Sequence, residues 1–183
     1  MKVIKYIGIL FLAFVIITSC NTSDEQSLQE YYVSSESNSN YLMLDIPISI
    51  LTLGADATEE SKQAYESIKK VNLLAFKLTE TNKQSYVEEK TKVSKILKNK
   101  AYRELMRVNN NGAKIVAKYL GTENSMSEVI VYASDKTKGF ALARILGDDM
   151  RPENMIKLMN SFKDLDKDND VFKKMKGFFG EIH

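Results

Sequence analysis

A single cysteine, Cys20, and a single histidine, His183 at the last position, narrow the chemistry open to this 183-residue chain. One imidazole at the end of the chain leaves serine or cysteine triads without their usual base, and His-containing zinc sites without their ligands. No GxxxxGK loop or GxGxxG turn is present to cradle a phosphate. Carboxylates remain. Asp148, Asp149 and Glu153 cluster where a strand should hand over to a helix, and paired acids can do acid/base or metal-dependent work. Acids placed there also offset the positive end of the helix dipole, by about 0.3–1 kcal/mol each, and that structural role is the one we expect. Arg144, the fourth binding candidate, shares an alternating line with Phe140, Leu142 and Leu146. It is either buried against an acid or set on the wetter face. Ala141, Ala143 and Ile145 offer an apolar face of their own, which favours solvent or rim placement for Arg144. Asp164, Asp166, Asp168 and Asp170 alternate like the first ligands of a calcium loop. Such a loop needs Gly at its sixth position and Glu at its twelfth. Asn169 and Met175 stand there, so a solvated acidic linker is expected and no metal ligand set. Catalytic residues are expected to be absent.

Cys20 has a chemistry of its own. Lys2 and Lys5 precede an apolar run from Tyr6 to Ile17, and Ile17-Thr18-Ser19-Cys20 ends it. The pattern is that of a bacterial lipoprotein leader, too short to span a bilayer comfortably. The thiol is positioned for a diacylglyceryl group, cleavage between Ser19 and Cys20 would follow, and the new amino group would take an N-acyl chain. One chain binds a membrane marginally, whereas two or more hold stably. Covalent lipid on Cys20 is the only cofactor expected, membrane lipid the first partner, and an envelope protein a second. The expected location is the cell envelope, on the periplasmic or outer face of an outer membrane.

Removal of residues 1–19 takes Lys2 and Lys5 away and leaves 24 basic and 24 acidic side chains. A balanced domain has no overall basic bias toward nucleic acid. Asn21 to Asn40 is rich in Ser, Asn, Gln and Glu without Lys or Arg, and reads as a polar tether. About 20 flexible residues would span ~25 Å.

Positioning these groups requires a framework. Tyr41 to Ile46 alternates as a strand. Pro47 then opens a short helix ending at Gly54, or the strand continues through Ile48 and Ile50. Thr58 can cap a helix to about Lys70, with Ala64, Tyr65 and Ile68 inward. Val71 to Leu78 reads as a strand. Asn82 to about Met106 is the longest helical stretch, with a break possible near Asn99, and carries Tyr86, Val93, Ile96, Leu97, Ala101, Leu105 and Met106 on one stripe. Asn109-Asn110-Asn111-Gly112 should stop it. Strands Ala113–Leu120, Glu128–Ser134 and Phe140–Leu146 follow as a meander, the last two joined by a loop closing on Gly139. Pro152 opens a helix to about Phe162 that buries Met155, Leu158, Met159 and Phe162. The tail puts Phe172, Met175 and Phe179 at helical spacing, which makes it amphipathic if it is helical. The expected fold is α+β, a two-layer sandwich of a largely antiparallel sheet with a C-terminal-half β-meander and helices on one face. The expected parts are a leader at 1–19, lipidated Cys and tether at 20–40, one domain at 41–162, and a charged tail at 163–183. A folded portion of roughly 120–140 residues can build one core.

Gln29-Glu30-Tyr31-Tyr32-Val33, Ser67-Ile68-Lys69-Lys70-Val71-Asn72, Lys138-Gly139-Phe140-Ala141-Leu142, Leu146-Gly147-Asp148-Asp149-Met150 and Pro152-Glu153-Asn154 together resemble one family. It is a set of Bacteroidota lipoproteins sharing a domain of unknown function, family 4252. The resemblance runs from about residue 29 to about 162 and implies an envelope lipoprotein without implying an activity. Ser23-Asp24-Glu25 also resembles the surface-export signals of such lipoproteins. A non-catalytic binding or interaction domain is therefore the expected function. The alternatives are a carboxylate- or metal-dependent enzyme using Asp148, Asp149 and Glu153, and a structural or stress-related envelope component.

Overall fold

Ile68–Lys77 carries an unbroken buried run from Val71 to Phe76, and a strand apolar on both faces belongs inside a sheet covered on both sides. The computed structural model, which describes residues 26–50, 53–54, 57–110, 112–161 and 170–179, places it there. In chain order the elements are α1 (Leu28–Ser35), β1 (Tyr41–Ile46), α2 (Glu59–Ser67), β2 (Ile68–Lys77), α3 (Lys83–Ile96), β3 (Arg103–Asn110), β4 (Ala113–Gly121), β5 (Met126–Asp135), β6 (Gly139–Met150), α4 (Pro152–Ser161) and α5 (Asp170–Phe179). The six strands form one sheet in the order β1-β2-β6-β5-β4-β3. Every pairing is antiparallel. The expected α+β sandwich is what the chain builds.

The helices, expected on one face, divide between two. Leu74, Phe76, Ile130, Tyr132, Phe140 and Leu142 point one way and pack with Leu28 and Tyr31 of α1 and Tyr86, Val93 and Ile96 of α3. Val71, Leu73 and Val129 point the other way, toward Ala64 of α2 and Met155 and Leu158 of α4. Alternation along a strand sends successive side chains to opposite faces, so two apolar faces demand two helical covers. In the first core, Phe76 and Phe140 stack with centroids 5.5 Å apart, and Tyr41 meets Phe76 edge-on at 5.1 Å.

Residues 28–35, expected in the tether, are part of the domain. Ser27 caps α1: its hydroxyl accepts the Glu30 N–H at 3.2 Å, while Glu30 accepts the Ser27 N–H at 2.8 Å, a capping box. Leu28 and Tyr31 are buried. Leu28 and Tyr31 lie one turn apart, but Tyr32 and the exposed Val33 follow directly, so the helix has little periodic signal of its own and the sheet supplies its burial.

Thr58 caps α2 as expected, accepting the Ser61 N–H at 3.3 Å. The helix stops at Ser67, and Ile68 instead opens β2 opposite Gly147. After Pro47 there is a single 3-10 turn, Ile48–Ile50. The long helix expected to Met106 ends at Ile96, and Leu105 and Met106 belong to β3. Asn99 makes the break: its carbonyl accepts the Tyr102 N–H and its side chain accepts the Ala101 N–H at 2.9 Å. Asn110 then pairs with Ala113 across a hairpin in which Gly112 has φ +92°. The Asn-Gly signal serves a helix stop and a tight hairpin alike; the ladder offered by β4 decides between them. The meander therefore has four strands.

Asp135 organises the β5–β6 loop, accepting the N–H groups of Thr137 at 2.7 Å and Lys138 at 3.0 Å. Gly139 has φ +122°, and a Cβ there would stand 2.0 Å from the Phe76 carbonyl oxygen. In α4, Met155 and Leu158 are buried as expected; the Met159 side chain and Phe162 lie outside the described residues. α5 lies beside β1, with Phe178 edge-on to Phe179 at 5.1 Å, while the Phe172 and Met175 side chains lie outside the described residues. No helix among the described residues is long and apolar enough to cross a membrane.

Candidate functional site

β6 runs on past Leu146 to Met150, which moves two of the candidate acids onto a strand. Asp148 is exposed and ion-paired with Lys69 of β2. Asp149 takes the left-handed region at φ 51°, which Asp tolerates better than most residues, and accepts a hydrogen bond from the Ser125 hydroxyl at 2.7 Å. Glu153, in the first turn of α4, lies 4.0 Å from the Arg151 guanidinium. The three carboxylates turn to three separate partners. Among the described residues no group of three His, Cys, Asp or Glu side chains is placed to hold a metal ion. Ser19, Cys20, His183, Asp164, Asp166 and Asp168 lie outside the described residues, and Asp170 opens α5.

Arg144 is not on the rim. Its Nε donates to Glu128 Oε1 at 3.0 Å and its Nη2 to Glu128 Oε2 at 3.2 Å, a bidentate pair with side chains only 13% and 7% exposed. A third donor, Nη1, reaches the Gln29 side-chain oxygen on α1. The register explains the meeting, because Ile130 stands opposite Arg144 and Glu128 opposite Leu146. Glu128 thus shares the face of Arg144, one step along. The other face is apolar, as Ala143 and Ile145 suggest, but α1 covers the Arg144 face as well, so the charge needs an acid. The sequence carried a signal for this partner: Glu128, Ile130 and Tyr132 form one alternating line, with an acid among apolar residues.

Arg144 also lines a cleft of about 220 Å³ between α1 and the sheet, with Gln29, Tyr32, Asp45, Lys70 and Asn72. The Tyr32 hydroxyl donates to the Leu73 carbonyl at 3.3 Å. Burial, then the nearby Asp45 charge, pushes this phenol up to about 12. Asp45 accepts a hydrogen bond from the Asn72 amide and lies 3.3 Å from Lys70 Nζ. Arg144, Asp45 and Lys70 are each neutralised from within. Such a cleft fixes α1 and can recognise a polar group at its mouth.

A second polar cluster escaped sequence reasoning altogether. The Tyr31 and Tyr41 hydroxyls are 2.6 Å apart, and both reach Glu89 Oε2, at 2.9 and 2.6 Å. Lys92 Nζ is 2.7 Å from the other carboxylate oxygen. Two hydroxyl protons serve three contacts, so one of the three is without a proton at any instant. Burial opposes ionisation of Glu89, but Lys92 and the two phenols outweigh it and hold the carboxyl below its usual range. Burial, reinforced by the hydrogen bonds to Glu89, raises both phenols, while the contact with Tyr31 offsets part of the rise at Tyr41. The available signal was spacing: Glu89 falls three residues after Tyr86 and four before Val93, on the buried stripe of α3.

A family model described as Domain of unknown function (DUF4252) matches residues 31–158. No curated protein and no solved structure matches the chain.

Proposed function

The chain belongs to the DUF4252 family, and from that premise we propose that it is a Bacteroidota envelope lipoprotein, anchored through Cys20, whose domain binds a partner and does not turn over a substrate. The observation that carries the anchor is the leader, whose apolar run ends at the chain's only cysteine. Support for a binding role comes from the carboxylates, since Asp148, Asp149 and Glu153 engage different partners and present no shared locus for a proton or a cation.

α1 changes what the anchor does. Because the helix begins at Leu28, only residues 21–27 separate it from the lipid site. Seven residues in any conformation reach at most about 25 Å, so the domain stays close to the headgroups. A membrane-apposed domain meets lipid and neighbouring envelope proteins as its first partners. Mass spectrometry of the protein purified from its native membrane tests the anchor. The expected species begins at Cys20 with a diacylglyceryl group and an N-acyl chain. A free thiol or an intact leader overturns the reading. Crosslinking in intact cells should capture one stoichiometric envelope partner.

A further inference from the structure

A chain with a formal excess of only two positive charges is sharply polarised along its length. Between residues 90 and 118 it has nine Lys and Arg against one acid, Glu104. The fold bends this stretch through the end of α3, the Asn99 turn, β3 and β4, and brings four of the nine, Lys98, Arg107, Lys114 and Lys118, to one edge of the sheet. There a cleft of about 260 Å³ is lined by Ser94, Lys98, Arg107, Lys114, Lys118 and Tyr132 over an apolar floor of Leu97 and Val116. The register puts Arg107 opposite Val116, and Val116 opposite Tyr132, so the wall is one continuous row across three strands.

Not all of this charge is committed. Lys118 Nζ donates to the Leu97 carbonyl at 2.5 Å, capping the C-terminal end of α3 and offsetting the negative dipole end that would repel an anion. Arg107 shares Glu104 at 2.5 Å, on the exposed rim. Lys98 and Lys114 form no salt bridge among the described residues, although Lys114, with Arg107 and Lys118, is near enough to Glu104 to help hold that carboxyl below its usual range. Both are exposed and free to move toward a ligand. Tyr132 supplies an independent observation. It is 94% buried, and its hydroxyl is the one buried side-chain polar atom among the described residues with no hydrogen-bond partner. Ser134 is close enough to offset part of the rise that burial imposes on this phenol, but is not placed to bond. Buried hydroxyls are nearly always paired, and an orphan calls for an explanation. A neutral hydroxyl beneath a cleft lined by Lys98, Arg107, Lys114 and Lys118 offers a donor of the kind an oxyanion takes.

We propose that the cleft between the end of α3 and strands β3, β4 and β5 binds a phosphate-bearing anion, with the Tyr132 hydroxyl donating from the base and Lys98 and Lys114 closing from the rim. The site supplies a ligand class for the binding reading and stands without the lipid anchor, since mass spectrometry can fail at Cys20 while the cleft still binds. The phosphate can be free or part of a lipid headgroup. The test is calorimetry on the full protein in uncharged detergent, titrated separately with inorganic phosphate and with glycerophosphoglycerol, the deacylated headgroup of phosphatidylglycerol. Saturable binding is expected with at least one probe. Tighter binding of glycerophosphoglycerol assigns the headgroup source, and tighter binding of inorganic phosphate the free ion. Tyr132→Phe, which removes one oxygen from a well-packed ring, should weaken binding roughly tenfold, the loss of one hydrogen bond to a charged group. Lys98→Ala with Lys114→Ala should weaken it further, and chloride at matched ionic strength should not reproduce the heat. Absence of saturable binding with both probes, an unchanged affinity in Tyr132→Phe, or an equal response to chloride would each overturn the site.

Discussion

Arg144 and Glu128 show how a residue's role is set by what faces it. Their pair is bidentate and largely closed to solvent, so its value lies less in net stability than in the cost of breaking it. Removing one partner strands a buried charge, at about 3–5 kcal/mol. Arg144→Met should therefore lower the stability read from urea unfolding by that amount. Asp148→Asn, beside an equally acidic-looking neighbourhood but exposed at 69%, should change it by no more than about 1 kcal/mol. Comparable losses in the two variants would mean that Arg144 is a rim charge after all. The same reasoning separates the orphaned Tyr132 hydroxyl from Tyr31 and Tyr41, whose hydroxyls are fully engaged. Polar groups in this protein are informative where they are buried, and Asp148, Asp149 and Glu153 are exposed.

At the scale of elements, α1 carries the largest consequence. It closes the first core over Tyr41 and Phe76, and Leu28 is 1% exposed. Leu28→Ala should cost about 2–5 kcal/mol in urea unfolding, as other large-to-small core changes do. A tether residue would register less than ~0.5 kcal/mol, so a silent Leu28→Ala would return residues 28–35 to the linker. The helix also donates Gln29 to the Arg144 cluster. One short element thus links the core and the polar cleft. β3 is its counterpart at the opposite edge, where a segment with helical spacing pairs with β4 and contributes Arg107 to the cationic cleft.

Across the whole molecule, Glu89 joins α1, β1 and α3 through Tyr31 and Tyr41, and its ionisation is coupled to folding. Its folded carboxyl titrates below the usual 4.5. Its stabilisation is therefore complete above pH 4.5 and fades as pH falls through the lowered value. The two phenols titrate above their usual 10.0, so their contribution is complete below pH 10 and is lost as pH rises toward the folded values. Urea midpoints should form a plateau between these limits, and Glu89→Gln should flatten the acid limb. An acid limb unchanged in that variant would dissociate the cluster from stability. By itself the sequence determined what one segment encodes through its own alternation, cap or turn residues: β1, the Thr58 cap, the loop closing on Gly139, the paired strands β5 and β6, and α4 with Met155 and Leu158. It also left a His-based triad without its usual base and singled out Cys20. Tertiary structure alone decided that residues 28–35 are a core helix, that Leu105 and Met106 leave the helix for a strand, and that Arg144 meets Glu128 inside the fold. Each of those outcomes rests on a partner distant along the chain, and local periodicity carries no information about what a distant segment will bring against it.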